Sequence, residues 1–124
     1  MDNDKYILIV DDNEFFPKLI RGELEKKGLA VEVVSDGETA LSRISKKVPS
    51  LLLLDLIMPK MDGFEVLEEL NKMGVEKDIN ILVFSNLSQD EDIKRVKELG
   101  ANDYIVKQDL SFESVMEKIE NYLK

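Results

Sequence analysis

The sequence predicts an α/β fold, a doubly wound five-stranded parallel sheet with five helices covering its two faces. Three observations carry that expectation. Short apolar runs alternate with stretches of helical spacing along the whole chain, the pattern of repeated β-α units with right-handed crossovers. Two runs, Ile7–Val10 and Leu51–Leu54, are apolar at every position, as central strands buried on both faces are. Four runs end in polar residues: 6–10 in Asp11-Asp12, 51–54 in Asp55, 79–84 in Ser85 and 104–106 in Lys107. In an open parallel sheet such ends meet in one crevice outside the carboxyl edge, where ligands bind.

The elements follow in order. The first strand is 6–10. Phe15, Phe16, Leu19, Ile20 and Leu24 then recur at three to four residues, one apolar stripe of a helix. Pro17 lies near its start, where a missing N–H costs little, and Gly28 after Lys26-Lys27 stops it. Residues 30–34 form a β-branched run that carries Glu32 and reads as an edge strand. Asp36-Gly37 opens a second helix with Ala40, Leu41 and Ile44 inward, and Pro49 ends that segment. The all-leucine strand 51–54 follows. Phe64, Leu67, Leu70 and Met73 mark a third helix closed by Gly74. After the strand 79–84, Ile93, Val96 and Leu99 mark a fourth helix, with Asp90 as its expected N-cap and Gly100 as its stop. The strand 104–106 precedes a fifth helix marked by Val115, Ile119 and Tyr122-Leu123, with Ser111 as cap. No Pro/Gly/Ser-rich linker and no longer repeat interrupts the series, so residues 1–124 read as a single domain.

Composition narrows the chemistry. The chain has 124 residues, 44% of them hydrophobic, enough for one core. It has no cysteine, which excludes disulfides and thiolate zinc sites, and no histidine, which excludes chemistry on its own imidazole. A net charge of −9 argues against direct binding of nucleic acid or anionic membrane. No apolar stretch reaches the ~18 residues of a membrane span. The start, Met1-Asp2-Asn3-Asp4, lacks the basic region of a signal peptide. A cytoplasmic protein is the simplest expectation.

Each polar anchor also has an ordinary reading. Asp11-Asp12 could be a solvated loop that caps a helix starting near Asn13. Yet two adjacent carboxylates repel, and a hard divalent cation such as Mg²⁺ relieves that. Asp55 could cap the next turn. The segment that follows it, Leu56 to Gly63, carries Pro59, which restrains the backbone, and Gly63, which permits a left-handed or close-packed helix start. A carboxylate fixed there beside a cation can act as a nucleophile toward phosphorus. Ser85 could satisfy its own backbone, and Lys107 could be a solvated head. Together with a metal they meet what phosphoryl transfer needs, positive charge and donors on the equatorial oxygens. Tyr104 reads as a strand aromatic at the sheet edge.

The chain resembles a response-regulator receiver domain, the phospho-accepting module of two-component signalling. The resemblance covers essentially its whole length. It rests on Asp11-Asp12, Asp55, Met58-Pro59, Asp62-Gly63, Ser85 and Lys107, with Asp36-Gly37, Ala40, Gly100-Ala101 and Asp103-Tyr104 in the same pattern. It implies a flavodoxin-like sheet of order 2-1-3-4-5. It implies that Asp55 accepts a phosphoryl group from a phosphohistidine on a sensor histidine kinase or phosphotransfer protein. Asp11, Asp12, Asp55 and the Ile57 backbone carbonyl would hold Mg²⁺. Lys107 would pair with the phosphoryl oxygens, Ser85 would donate its hydroxyl to them, and Tyr104 would turn inward as Ser85 moves. Output would leave through the fourth helix, fifth strand and fifth helix, toward an unidentified output protein or a second copy in a homodimer.

Departures from the family pattern bear on those roles. Gln108 follows Lys107 where a proline, often in a cis bond, is usual. Asn86 follows Ser85 where a smaller residue is usual, and could hinder access to the phosphoryl group. Ile57 and Leu87 flank the expected phosphate and cannot orient water, so slow loss of the phosphoryl group is expected. Three rivals are weaker. An aspartyl-nucleophile phosphatase would want a second acid where Ile57 stands. A flavin binder would want a Ser/Thr/Gly-rich first loop in place of Asp11-Asp12-Asn13-Glu14. A phosphate-independent receiver-like module would leave the anchors idle. The chain therefore reads as a switch rather than a turnover enzyme.

Overall fold

The computed structural model describes residues 5–123. The acidic start read above, residues 1–4, lies outside them. Five strands, β1 (Ile7–Val10), β2 (Val31–Val34), β3 (Leu51–Leu54), β4 (Asn80–Ser85) and β5 (Asp103–Val106), alternate with five helices. These are α1 (Phe15–Lys26), α2 (Gly37–Lys46), α3 (Gly63–Met73), α4 (Asp90–Glu98) and α5 (Phe112–Asn121). A 3₁₀ turn, Glu76–Asp78, precedes β4. All strand pairs are parallel, in the order β2-β1-β3-β4-β5, as the resemblance implied.

The all-apolar runs hold the middle of the sheet because both of their faces are covered. Leu8, Val10, Leu52, Leu54, Ile81 and Val83 point to one side, where they pack against α2, α3 and Val96 of α4. Ile7, Ile9, Leu51, Leu53, Leu82 and Phe84 point to the other, against α1 and α5. This is the period-two alternation of a strand, with apolar residues in both phases. β2, with Glu32 partly exposed, is an edge as its composition predicted.

Local signals set the helix ends. Asp36 caps α2 through Thr39 N–H at 2.7 Å. Asp62 and Glu65 form a reciprocal capping box at α3, which Gly74 closes in the left-handed region at φ 75°. Ser111 caps α5 as expected.

Three expectations need correction. α1 starts at Phe15 rather than near Asn13; its N-cap Glu14 makes no side-chain bond, and the Asn13 side chain accepts from Phe15 N–H at 2.9 Å. Phe15 is 72% and Leu19 44% exposed, so the inward stripe of α1 is Phe16, Ile20 and Leu24. Asp90 is not the N-cap of α4. Gln89 holds that position without a side-chain bond, and Asp90 joins Glu91 and Asp92 in the first turn, where carboxylates interact with the helix dipole. Among the described residues no helix is long and apolar enough to cross a membrane.

Candidate functional site

The sheet itself brings the polar anchors together. β1 and β3 pair with Val10 opposite Leu54, so Asp11 and Asp55 leave adjacent strands side by side. The ladder continues one residue past each strand: Asp11 N–H donates to the Val34 carbonyl at 3.1 Å, Asp55 N–H to Val10 at 2.9 Å, and Lys107 N–H to Ser85 at 3.0 Å. The backbone of these residues is therefore fixed as firmly as the sheet. Asp11 is 2%, Asp55 6% and Ser85 0% exposed, while Asp12 faces solvent. Asp11, Asp12 and Asp55 each offer a carboxylate oxygen, all within 4.8 Å of one another.

The two buried carboxylates divide their oxygens alike. Oδ1 of Asp11 accepts from Asn13 N–H at 2.9 Å, and Oδ1 of Asp55 accepts from Ile57 N–H at 3.2 Å. Oδ2 of each faces Lys107, whose Nζ lies 2.7 Å from Asp11 and 3.3 Å from Asp55. One oxygen thus holds the carboxylate in its own loop, and the other is left for the pocket. Burial pushes the Asp11 carboxyl above its ordinary value; the Lys107 hydrogen bond, next in size, opposes this. Three carboxylates against one ammonium leave a negative pocket, and its all-oxygen donor set suits a hard cation such as Mg²⁺.

The loop after β3 is held by close packing. A Cβ placed on Gly63 would fall 2.5 Å from the Asp55 carbonyl oxygen and 2.8 Å from Leu56 Cα. Gly63 N–H also donates to the Leu56 carbonyl at 3.0 Å. Of the two reasons for a glycine there, close approach is the one the structure uses. Lys60 adopts the left-handed region at φ 68° within the same loop. Ile57 is 53% exposed beside Asp55.

On the far side, the Tyr104 hydroxyl donates to the Leu87 carbonyl, and Leu87 N–H donates to Ser85 Oγ at 3.4 Å. The partly buried Tyr104 packs against the α2–α3–α4 core. Burial first, and the Asp92 carboxylate second, push its phenol up to about 12, so it remains a donor at neutral pH. The Lys107–Gln108 bond is trans, there being no cis bond among the described residues. Asn86 and Gln108 line a cavity of about 310 Å³ together with Asn13, Phe15, Phe16 and Lys107.

The structure thus gathers Asp11, Asp12, Asp55 and Lys107 into one pocket, and links Tyr104 to Ser85 through Leu87. Two participants were not legible as such. The Leu87 carbonyl, which anchors Tyr104, is a backbone atom with no residue signature. Phe84, whose ring centroid lies 5.3 Å from Lys107 Nζ, read only as one more apolar strand position.

Residues 7–120 match the family model of the response regulator receiver domain. The chain is 42% identical over 101 residues to the probable transcriptional regulator ycf27 of Porphyridium aerugineum, covering 82% of this chain and 41% of that protein. It spans about two fifths of the length of the curated relatives it matches. Among solved structures it superposes on the CheY-like response regulator receiver domain of Methanospirillum hungatei with TM-score 0.84 at 28% identity, covering 96% of this chain and 93% of that one. The BeF3-activated N-terminal receiver domain of Klebsiella pneumoniae RstA gives TM-score 0.82 at 27% identity, covering 97% and 99%. The chain belongs to the response regulator receiver domain family.

Proposed function

We propose, from that membership, that residues 1–124 form one phospho-accepting receiver domain whose phosphoacceptor is Asp55. The observation that carries the reading is the Asp55 carboxylate itself. It is 6% exposed at the end of a central strand, with one oxygen tied to its loop and the other 3.3 Å from Lys107. An Asp55 oxygen attacks the phosphorus of a phosphohistidine on a sensor histidine kinase or phosphotransfer protein. A P–O bond forms, the P–N bond breaks, and the donor imidazole keeps the released electron pair and takes up a proton. The product is an acyl phosphate on Asp55.

Asp11, Asp12 and Asp55, with the Ile57 backbone carbonyl, would hold Mg²⁺. When bound it neutralises charge on the transferring group. Lys107 moves its ammonium from Asp11 toward the phosphoryl oxygens, and the Ser85 hydroxyl donates to them. Because Ser85 accepts from Leu87, and Leu87 accepts from Tyr104, a shift of Ser85 carries to Tyr104 and so to the face made by α4, β5 and α5. That face signals to an output protein or a second copy of the chain. The domain works in the cytoplasm as a switch. It assists its own phosphorylation and has no free substrate to turn over. Ile57 and Leu87 offer attacking water no polar group, so the acyl phosphate is long-lived.

The test is intact mass after incubation with acetyl phosphate and Mg²⁺. One added phosphoryl group is expected, absent in Asp55→Asn and without Mg²⁺, with faster loss in Ile57→Asn. No adduct, with beryllofluoride also failing to bind, overturns the reading and leaves a phosphate-independent interaction module.

A further inference from the structure

A lysine at the rim of a half-open pocket has a flexible four-carbon stem and no preferred direction. Lys107 nonetheless sits between two carboxylates, with 17% of its side chain exposed. It also borders the cavity of about 310 Å³ that contains Asn86 and Gln108, so there is room for the ammonium to swing out. Asp11, which holds the ammonium at 2.7 Å, does not line that cavity.

What lies beneath the ammonium is an aromatic ring. Lys107 Nζ is 5.3 Å from the centroid of Phe84, within the range at which the electron-rich face of a ring attracts a cation. Phe84 is 2% exposed, and its own ring is fixed from outside. Phe16 of α1 meets it edge-on, with centroids 5.2 Å apart and planes at 63°. Phe112 of α5 then packs on Phe16 at 5.7 Å. Three rings from β4, α1 and α5 therefore form one column ending under Lys107.

The geometry points to Phe84 as a positioning residue: its ring, held by Phe16 and Phe112, keeps the Lys107 ammonium between Asp11 and Asp55 and out of the neighbouring cavity. Its consequence for phosphorylation rests on the reading of Asp55 given above. The attraction requires the ring face as well as apolar volume. Removing the face while keeping the volume releases the lysine, and a contact of this kind corresponds to between about twofold and about thirtyfold in an equilibrium or rate.

The experiment uses the whole chain with Phe84→Leu, and a second protein carrying pentafluorophenylalanine at 84, nearly the same shape with the face polarity reversed. The first readout is the ¹⁵Nζ signal of Lys107 and the exchange of its ammonium protons, without phosphate donor. The second is the rate of Asp55 phosphorylation by acetyl phosphate with Mg²⁺. In both variants the Lys107 protons are expected to exchange faster and the phosphorylation rate to fall about tenfold, with the melting temperature of the fluorinated protein kept. Phe16→Leu should move both readouts the same way by less. Unchanged Lys107 exchange in the fluorinated protein overturns the inference. If the parent chain takes no phosphoryl group at all, the phosphorylation reading fails, while the Lys107 signal still decides whether Phe84 holds the ammonium. Should Phe84→Leu fail to fold, the fluorinated protein carries the test alone.

Discussion

Helices α3 and α4 lie on the same face of the sheet and follow two strands that end at the same pocket, yet they are held very differently. α3 buries Gly63, Phe64, Val66, Leu67 and Leu70, opens with a capping box and closes on a left-handed glycine. α4 fully buries only Val96, and its N-cap Gln89 makes no side-chain bond. Where the two meet, the links are at the surface: Arg95 stacks 4.4 Å over the Phe64 ring and pairs with Glu68 at 3.3 Å, and the Asn71 amide donates to the Leu99 carbonyl. The loop that carries Asp55 is over-determined, while the element reached through Ser85 and Leu87 is lightly tied. Local stability of this kind decides which segments open or shift. Rigidity sits with the carboxylate nucleophile, and freedom with the surface that would report on it.

The contrast can be broken most strongly at Gly63. Gly63→Ala forces a methyl group into the Asp55 carbonyl and Leu56, and overpacking at such a site costs about 3 kcal/mol. Urea unfolding should show that loss, and Mg²⁺ affinity should drop with it because the Asp55 backbone must shift. Next in size, Asp62→Ala removes the half of the capping box in which the Asp62 carboxylate accepts from Glu65 N–H and should cost about 1 kcal/mol in the same assay.

A third variant tests a helix tied by one cap. Asp36 accepts from the Thr39 N–H and hydroxyl, and the backbone hydrogen bond first, the hydroxyl second, hold its carboxyl below the usual value. A depressed carboxyl contributes stability above its unfolded-state value, and that contribution is lost as pH falls through the folded-state value. Asp36→Ala should therefore cost about 1 kcal/mol at pH 7. The difference from the parent should shrink in acid, whereas Asp36→Asn should keep most of the cap and lose its pH dependence. The smallest change runs the other way. Gln89→Ser supplies α4 with the cap it lacks, and should add about 0.5–1 kcal/mol and slow hydrogen exchange in α4 alone. If α4 amides already exchange as slowly as those of α3 in the parent chain, the contrast itself is wrong.

Much of this architecture was legible in the sequence. The strands were, because runs apolar in both phases leave few alternatives, and the polar residue ending each run falls where a parallel sheet collects its ligands. The pocket was legible for the same reason: Asp11, Asp12, Asp55 and Lys107 are placed by strand ends, not by loops. Reading failed where a single turn decides the outcome. Phe15 and Leu19 share the spacing of a buried stripe, but they lie toward the solvent side of α1. Asp90 is a good cap residue that begins α4 one position too late. Phe84 has the same apolar signature as its neighbours, and only the third dimension puts its ring face under an ammonium.

The pairing of Val10 with Leu54 sets the scale of the pocket. The gap between the Asp11 and Asp55 backbones is the spacing of neighbouring strands, roughly 4.8 Å, a length that the hydrogen-bonded lattice fixes and no side chain can tune. The pocket can therefore tolerate much change of residue type around it but almost no change of length within it. One residue inserted in Leu51–Leu54 would turn Asp55 toward the opposite layer of helices, whereas the exposed connections at the other edge of the sheet could lengthen without the carboxylates registering it. Descendants of this chain should vary in length at that edge and keep count at this one.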